Sequence, residues 1–157
     1  MNTERTAICL WFDQAAEEAA RFYVGLLPDS RIVHVQPAPT DYPNGKAGDV
    51  LVVEFVLAGR RYVALNGGPE FHFDEAVSIQ VFCDTQAEID RLWAALSTRP
   101  ESEQCGWCKD RYGLSWQVVP SALSGWLGGP NGRQVMETFM PMKKLLIAPL
   151  EAAAEGR

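Results

Sequence analysis

Two stretches of the chain change their hydrophobic rhythm in the same way. Residues 6–12 form an apolar, strand-like run that ends at Asp13, after which Ala19, Phe22, Tyr23 and Leu26 recur at the spacing of one helix face. Residues 77–83 form a second such run, which meets Asp84 and gives way to Ile89, Leu92, Trp93 and Leu96 at the same spacing. Laid together at an offset of 70 residues without a gap, "ICLWFDQAAEEAARFYVGL" (8–26) and "SIQVFCDTQAEIDRLWAAL" (78–96) pair Phe12 with Phe82, Glu18 with Glu88, Arg21 with Arg91 and Leu26 with Leu96. The pattern predicts a duplicated strand–helix unit. Thr85 followed by Glu88 is a capping-box signature for the second helix.

The segments after each helix also correspond. "RIVHVQ" (31–36) reads as a strand, 37–48 as a loop rich in turn formers, and "DVLVVEFVL" and "RRYVALN" as strands joined in a hairpin at Ala58-Gly59. In the second half, "STRPES" leads to "EQCGWCK", the turn "DRYG" and the strand "LSWQVVP", with the third strand short or missing. A helix is expected in "PNGRQVMETFMPM", with Pro130 near its start. The apolar patch in "KKLLIAPLEAAAEGR" has no evident local partner and is expected to lie across a neighbour or a second subunit. The predicted class is α+β: a βαβββ module over 1–75, a shortened one over 76–128 and a C-terminal helix and tail over 129–157, together one domain. Each helix covers one face of a curved mixed sheet and leaves a concave cleft, a shape that favours ligands.

Composition narrows the function. A length of 157 residues, 47% apolar and 22% charged, is that of an ordinary globular domain. The formal net charge of −6 argues against a nucleic-acid partner, which needs a basic face. No apolar run approaches the roughly 20 residues that span a bilayer, so no membrane partner is expected. "MNTERTAICLWFD" lacks the pattern of a secretory leader, and a cytoplasmic location with reduced thiols at Cys9, Cys83, Cys105 and Cys108 is the expectation.

With "WFDQAAEEAARFY", "LNGGPEFHFDEAVSIQV" and "QCGWCKDRYGLSWQVVP", the chain resembles the PhnB-like branch of the vicinal oxygen chelate superfamily over roughly residues 6–145. That superfamily includes glyoxalase I, extradiol dioxygenases and bleomycin-resistance proteins. The resemblance implies paired βαβββ modules in a homodimer, and no single activity. Relatives often carry the label 3-demethylubiquinone 3-methyltransferase, yet this sequence has no glycine-rich strand-to-helix turn to hold S-adenosylmethionine. Metal-dependent members place His, Glu or Gln ligands on the first and last strands of each module. Matching by spacing and strand order puts those positions at Ile8, Ser78, Ala64 and Gln117, of which Gln117 alone is a plausible donor; neither His34 nor His72 maps onto one. No metal and no cofactor are expected.

Strand alternation groups Ile8, Leu10 and Phe12; Tyr62, Ala64 and Asn66; Ser78, Gln80 and Phe82; and Ser115, Gln117 and Val119. If these are the concave faces, Phe12, Tyr62, Asn66, Ser78, Gln80, Gln117 and the neighbouring Trp116 are the candidate ligand-binding residues. Glu54, inside the apolar strand "LVVEFVL", is the candidate catalytic base if burial raises its pKa, and otherwise an edge or outward-facing carboxylate. His72, among Glu70, Asp74 and Glu75, reads as a loop residue, and "NGGP" (66–69) as a turn or as a source of backbone N–H groups for an anion. Cys105-Gly-Trp-Cys108 has dithiol spacing, but loop precedes it and no helix starts there, so a hairpin strand is expected instead of a redox pair. Three functions remain: metal-independent binding of a small molecule; an enzyme acting on a small polar metabolite, with Glu54 as base and Gln117 or Asn66 as hydrogen-bond donors; or a role carried by the tail and the dimer, with a vestigial cleft.

Overall fold

A computed structural model describes residues 5–157, which form two compact units, the first ending at His72 and the second spanning Phe73–Arg157. The first runs β1 (Ile8–Phe12), α1 (Ala16–Val24), β2 (Arg31–Pro37), β3 (Val50–Leu57) and β4 (Arg60–Asn66). Its sheet has the order β1-β4-β3-β2, with β1 parallel to β4 and the other pairs antiparallel. This is the expected βαβββ module. Ala58 and Gly59 both take positive φ, 46° and 79°, as a two-residue hairpin with the right twist requires. α1 lays Ala16, Ala19, Ala20 and Tyr23 on the sheet, the small residues allowing close approach. Tyr23 meets Phe55, which stacks on Tyr62 at 5.3 Å between ring centres.

The second unit begins with β5 (Ser78–Cys83), α2 (Gln86–Leu96), β6 (Trp107–Lys109) and β7 (Ser115–Pro120), in the sheet order β5-β7-β6. Parallel β5–β7 repeats the β1–β4 pairing, and antiparallel β6–β7 repeats β3–β4. The missing strand is therefore the edge strand that follows the helix; a 3-10 turn at Pro100–Ser102 occupies its place in the chain. The Thr85–Glu88 capping box forms as predicted. The "DRYG" turn is built on Asp110, which is wholly buried and accepts from Tyr112 N at 2.8 Å, Leu114 N at 3.1 Å and Trp116 Nε1 at 2.8 Å.

The repeat holds in a form that reverses one face assignment. The helices keep the 70-residue offset, since Ala19 and Ile89, and Leu26 and Leu96, are all buried. The strands do not. β1 ends at Phe12 and three residues lead to α1, whereas β5 ends at Cys83 and two residues lead to α2. Side chains alternate with period two, so one residue of slip exchanges the faces. Leu10 and Phe12 are buried in β1, but their counterparts at that offset, Gln80 and Phe82, are exposed, while Val81 and Cys83 are buried.

Phe12, Tyr62 and Asn66 therefore belong to the helix-covered face of the first sheet and not to its open face. Asn66 Oδ1 accepts from Ala16 N at 2.9 Å, and its Nδ2 donates to Val50 O at 2.9 Å. Ala15 makes no side-chain cap, so Asn66 caps α1 from the neighbouring strand. Trp116 is likewise wholly buried, on the α2 side of its sheet.

The tail also departs from expectation, because it packs within its own unit. α3 (Leu123–Gly128), α4 (Gly132–Phe139) and α5 (Ile147–Ala154) share a small core of Val119, Leu123, Val135, Leu145, Leu150 and Ala153. α4 is the expected helix, whereas Pro149 in the first turn of α5, and the glycines in "SALSGWLGG", masked α5 and α3 in the sequence pattern.

Removing the Asp110 carboxylate leaves three donors without their acceptor, two of them on buried residues. Asp110→Ala is expected to lower stability by about 3 kcal/mol, and Asp110→Asn by less. Urea unfolding followed by near-ultraviolet circular dichroism measures both.

Candidate functional site

The β5–β7–β6 sheet leaves one face free of α2. Its register sets Lys109, Ser115 and Ser78 in one row, Trp107, Gln117 and Gln80 in the next, and Val119 beside Phe82 in the last. Gln117 is the hinge of a polar ladder: its Nε2 donates to Ser78 Oγ at 2.8 Å, and its Oε1 accepts from Gln80 Nε2 at 3.0 Å. The ladder leaves Gln80 Oε1 and one N–H of each amide uncommitted. Three of the residues expected on this face, Ser78, Gln80 and Gln117, are thus brought together.

Above the ladder is a cavity of about 440 Å³. Gln80, Phe82, Gln117 and Val119 line it from the sheet, Leu123, Ser124 and Leu127 from α3, and Phe139 from the end of α4. Among the described residues no Asp, Glu, Lys, Arg or His lines it. Phe82 is 64% exposed, a large aromatic surface that a ligand could cover. The α3 and α4 residues escaped sequence reasoning because contacts that close around a fold have no local period. Trp107 could have been found, as the register partner of Gln117.

A second cavity, of about 310 Å³, adjoins Trp107, Lys109 and Ser115. Lys109 Nζ pairs with Glu75 Oε1 at 2.7 Å and holds that carboxyl below its ordinary pKa. Ser115 Oγ is buried there without a hydrogen-bond partner.

In the first unit, the open face carries Cys9, Trp11, Glu54, Arg61, Val63 and Leu65. Glu54 lies on an inner strand, is 36% exposed, and pairs with Arg61 Nη2 at 3.4 Å. Of the readings the sequence allowed, it is the outward-facing carboxylate, neither buried nor at a sheet edge. His72 is exposed. The "NGGP" N–H groups are already used, since Gly67 N and Gly68 N both donate to Phe12 O, at 2.9 and 3.3 Å. Gly67 is needed for another reason: a Cβ there would lie 2.4 Å from the Trp11 ring.

The open-face donors on the first and last strands are the Cys9 thiol, the Ser78 and Ser115 hydroxyls and the Gln80 and Gln117 amides. Partial burial raises the Cys9 pKa and favours the protonated thiol. Among the described residues no three His, Cys, Asp or Glu gather around a point. This neutral set does not fit a divalent ion, which needs convergent anionic or imidazole ligands. Ile8 and Ala64, reached by counting, fall on the other face.

"CGWC" is a structural clamp. Cys105 and Gly106 take positive φ in a tight turn, Cys105 N donates to Met142 O and Gly106 N to Lys143 O, both at 2.7 Å, and Cys105 Sγ donates to Met140 O at 3.0 Å. Cys108 is buried on β6, where desolvation, with Asp110 and Glu103 adding to it, pushes its thiol up to about 12.

Residues 4–119 match the family model described as 3-demethylubiquinone-9 3-methyltransferase. The chain belongs to this family, the PhnB-like branch of the vicinal oxygen chelate fold. A structure described as a putative 3-demethylubiquinone-9 3-methyltransferase, PhnB protein, from Bacillus cereus is 32% identical, with a TM-score of 0.61 over 74% of this chain and 99% of that one. Protein PA1353 from Pseudomonas aeruginosa is 20% identical, with a TM-score of 0.57 over 75% and 98%. A weaker likeness is to the fosfomycin resistance protein FosX from Listeria monocytogenes, with a TM-score of 0.45 at 12% identity over 75% and 91%. No curated protein gives a significant match.

The methyltransferase name belongs to the family and finds no counterpart in this PhnB-like chain. The strand-to-helix connections are Asp13–Ala15 and Asp84–Thr85, with no glycine, and neither sheet is the parallel, doubly wound kind whose switch point holds a nucleotide. No helix among the described residues is long and apolar enough to cross a membrane.

Thiol chemistry distinguishes a clamp from a dithiol centre. Of the four cysteines, Cys9 alone is exposed, so Ellman's reagent at pH 8 should titrate one thiol in the folded chain, slowly because its pKa is raised, and all four after unfolding. Cys83, pushed up by burial to about 11, and Cys108 stay protonated in the fold while unfolded thiols ionise near 9. Their contribution to stability is complete below about pH 9 and falls as pH rises towards 11–12. Denaturant midpoints at pH 8 and 10.5, compared in wild type and Cys108→Ala, measure it; the alanine variant should lose less on alkalinisation.

Proposed function

We propose that the chain binds a small molecule on the open face of the second sheet, without a divalent metal. The observation that carries the proposal is that Gln80 and Gln117, oriented by their mutual bond and by Ser78, line a 440 Å³ cavity, within the size range of small-molecule pockets. The ladder fixes the amides before the ligand arrives, so binding does not have to order them. Phe82 and the apolar wall opposite supply the driving force, about 25 cal/mol for each Å² of apolar surface removed from water.

Assembly as a homodimer is part of the proposal. Ile8 and Val33 in the first unit and Val77 in the second leave large apolar side chains exposed, surface that a second copy would cover. A second reading makes the protein an enzyme for a small polar metabolite. Its support is that Glu54 and Arg61 place a solvent-accessible carboxylate on an open sheet face. Glu54→Gln would then abolish turnover, whereas under the binding proposal it leaves affinity unchanged.

Native mass spectrometry of the freshly purified protein tests the proposal. A metal-free dimer carrying organic mass is expected, and Gln117→Leu should weaken retention of that mass about tenfold, the worth of one lost hydrogen bond of about 1.4 kcal/mol. One metal ion per chain, or full retention by Gln117→Leu, overturns it.

A further inference from the structure

The family match stops at Val119, and 99% of the Bacillus cereus relative is spanned by 74% of this chain. Helices α3, α4 and α5 therefore lie beyond the shared part. They land on Val119, on the open face of β7, and bury it with Leu123, Val135, Leu145, Leu150 and Ala153.

The landing is fastened at several points. Besides the Cys105–Gly106 clamp, Gln86 on α2 donates through Nε2 to Leu145 O at 3.1 Å and accepts at Oε1 from Ile147 N at 2.8 Å, and Lys144 Nζ pairs with Asp90 at 2.6 Å. The extension is thus held as a fixed wall. Leu123 and Leu127, one helical turn apart, face the amide ladder with Ser124 between them and Phe139 beside them.

We infer that this extension makes the open face selective for an uncharged, flat ligand: one with an amide, lactam or hydroxy-carbonyl edge for Gln80 and Gln117, and an apolar body for Phe82, Leu123, Leu127 and Phe139. The inference rests on the binding reading above and adds the ligand's class. An amide edge both donates and accepts, which matches the uncommitted groups of the ladder. A charged ligand would lose its hydration in a cavity with no charged lining residue and gain no counter-ion, a loss that neutral ligands escape. Relatives that end near the last strand would lack the wall and take broader ligands on the same face.

Benzamide, benzoate and benzamidine share a shape and differ in charge, and they make the test. Each is titrated into the full-length, isotope-labelled protein while NMR follows the Gln side-chain amides and the Leu methyl groups. Benzamide is expected to shift Gln80, Gln117, Leu123 and Leu127 together, and benzoate and benzamidine to bind at least tenfold more weakly. Leu127→Trp should reduce benzamide affinity at least tenfold by filling the cavity. Ser124→Trp, at an exposed position, gives the same reading if Leu127→Trp does not fold. Shifts at Gln80 and Gln117 with silent leucines and unaffected tryptophan variants overturn the wall and leave the binding site standing. Equal binding of benzoate or benzamidine overturns the neutral class. No shift at either glutamine overturns the inference alone, and the binding reading is then decided by the native mass spectrum of the wild type and Gln117→Leu.

Discussion

Each sheet has one face committed to a helix, and every other feature of its unit is set by which residues that commitment takes. α1 occupies the face holding Phe55, Tyr62 and Ala64, and α2 packs Ile89, Leu92 and Leu96 over the face holding Val81, Trp116 and Val118. A fully buried aromatic or branched aliphatic side chain contributes about 1.5–3 kcal/mol, so several of them fix the phase of a strand beyond any single polar preference. What remains on the opposite face is what the protein can offer to a ligand. Asn66 shows the rule at its limit: a polar side chain taken into the covered face earns its place by capping α1.

The second unit reaches the same arrangement with fewer strands. Without an edge strand after α2, β6 is short and its start is held by the Gln104–Trp107 turn, whose N–H groups at Cys105 and Gly106 bond to the chain at Met142 and Lys143. A spacing that resembles a dithiol centre is thus spent on backbone conformation and on tying down the extension. The same extension covers Val119 and turns a bare sheet face into a cavity. The core and the cavity meet at one residue, because the Val119 that anchors the new core also borders the cavity.

The candidate chemistry follows from what each polar group is already doing. Asp110 is a buried carboxylate near the sheet, but three donors from its own turn and strand engage it, so it holds a turn. Gly67 and Gly68 present N–H groups, but Phe12 O takes both. Gln117 and Gln80 differ, because their mutual bonds orient them and still leave hydrogen-bonding capacity facing a cavity. On the binding proposal, a neutral ladder of this kind reads shape and edge pattern.

The sequence by itself determined the strands and helices of the two modules, the duplication, the capping box, the hairpin and the polar residues of the second sheet. All of these depend on periodicity or on contacts a few positions apart. It also favoured a hairpin strand over a redox centre for the CGWC segment, from the loop before it and the absence of a following helix. It placed Phe12, Tyr62 and Asn66 on the wrong face, because a gapless offset cannot register one extra residue between β1 and α1, and a single residue inverts a period-two pattern. Only the tertiary structure decided that face, along with the partner of Glu54 and the burial of Trp116. The fate of the tail was decided there too. Leu145 and Leu150 find Val119 and Val135 across the fold, and no local pattern records contacts between residues that far apart in the chain.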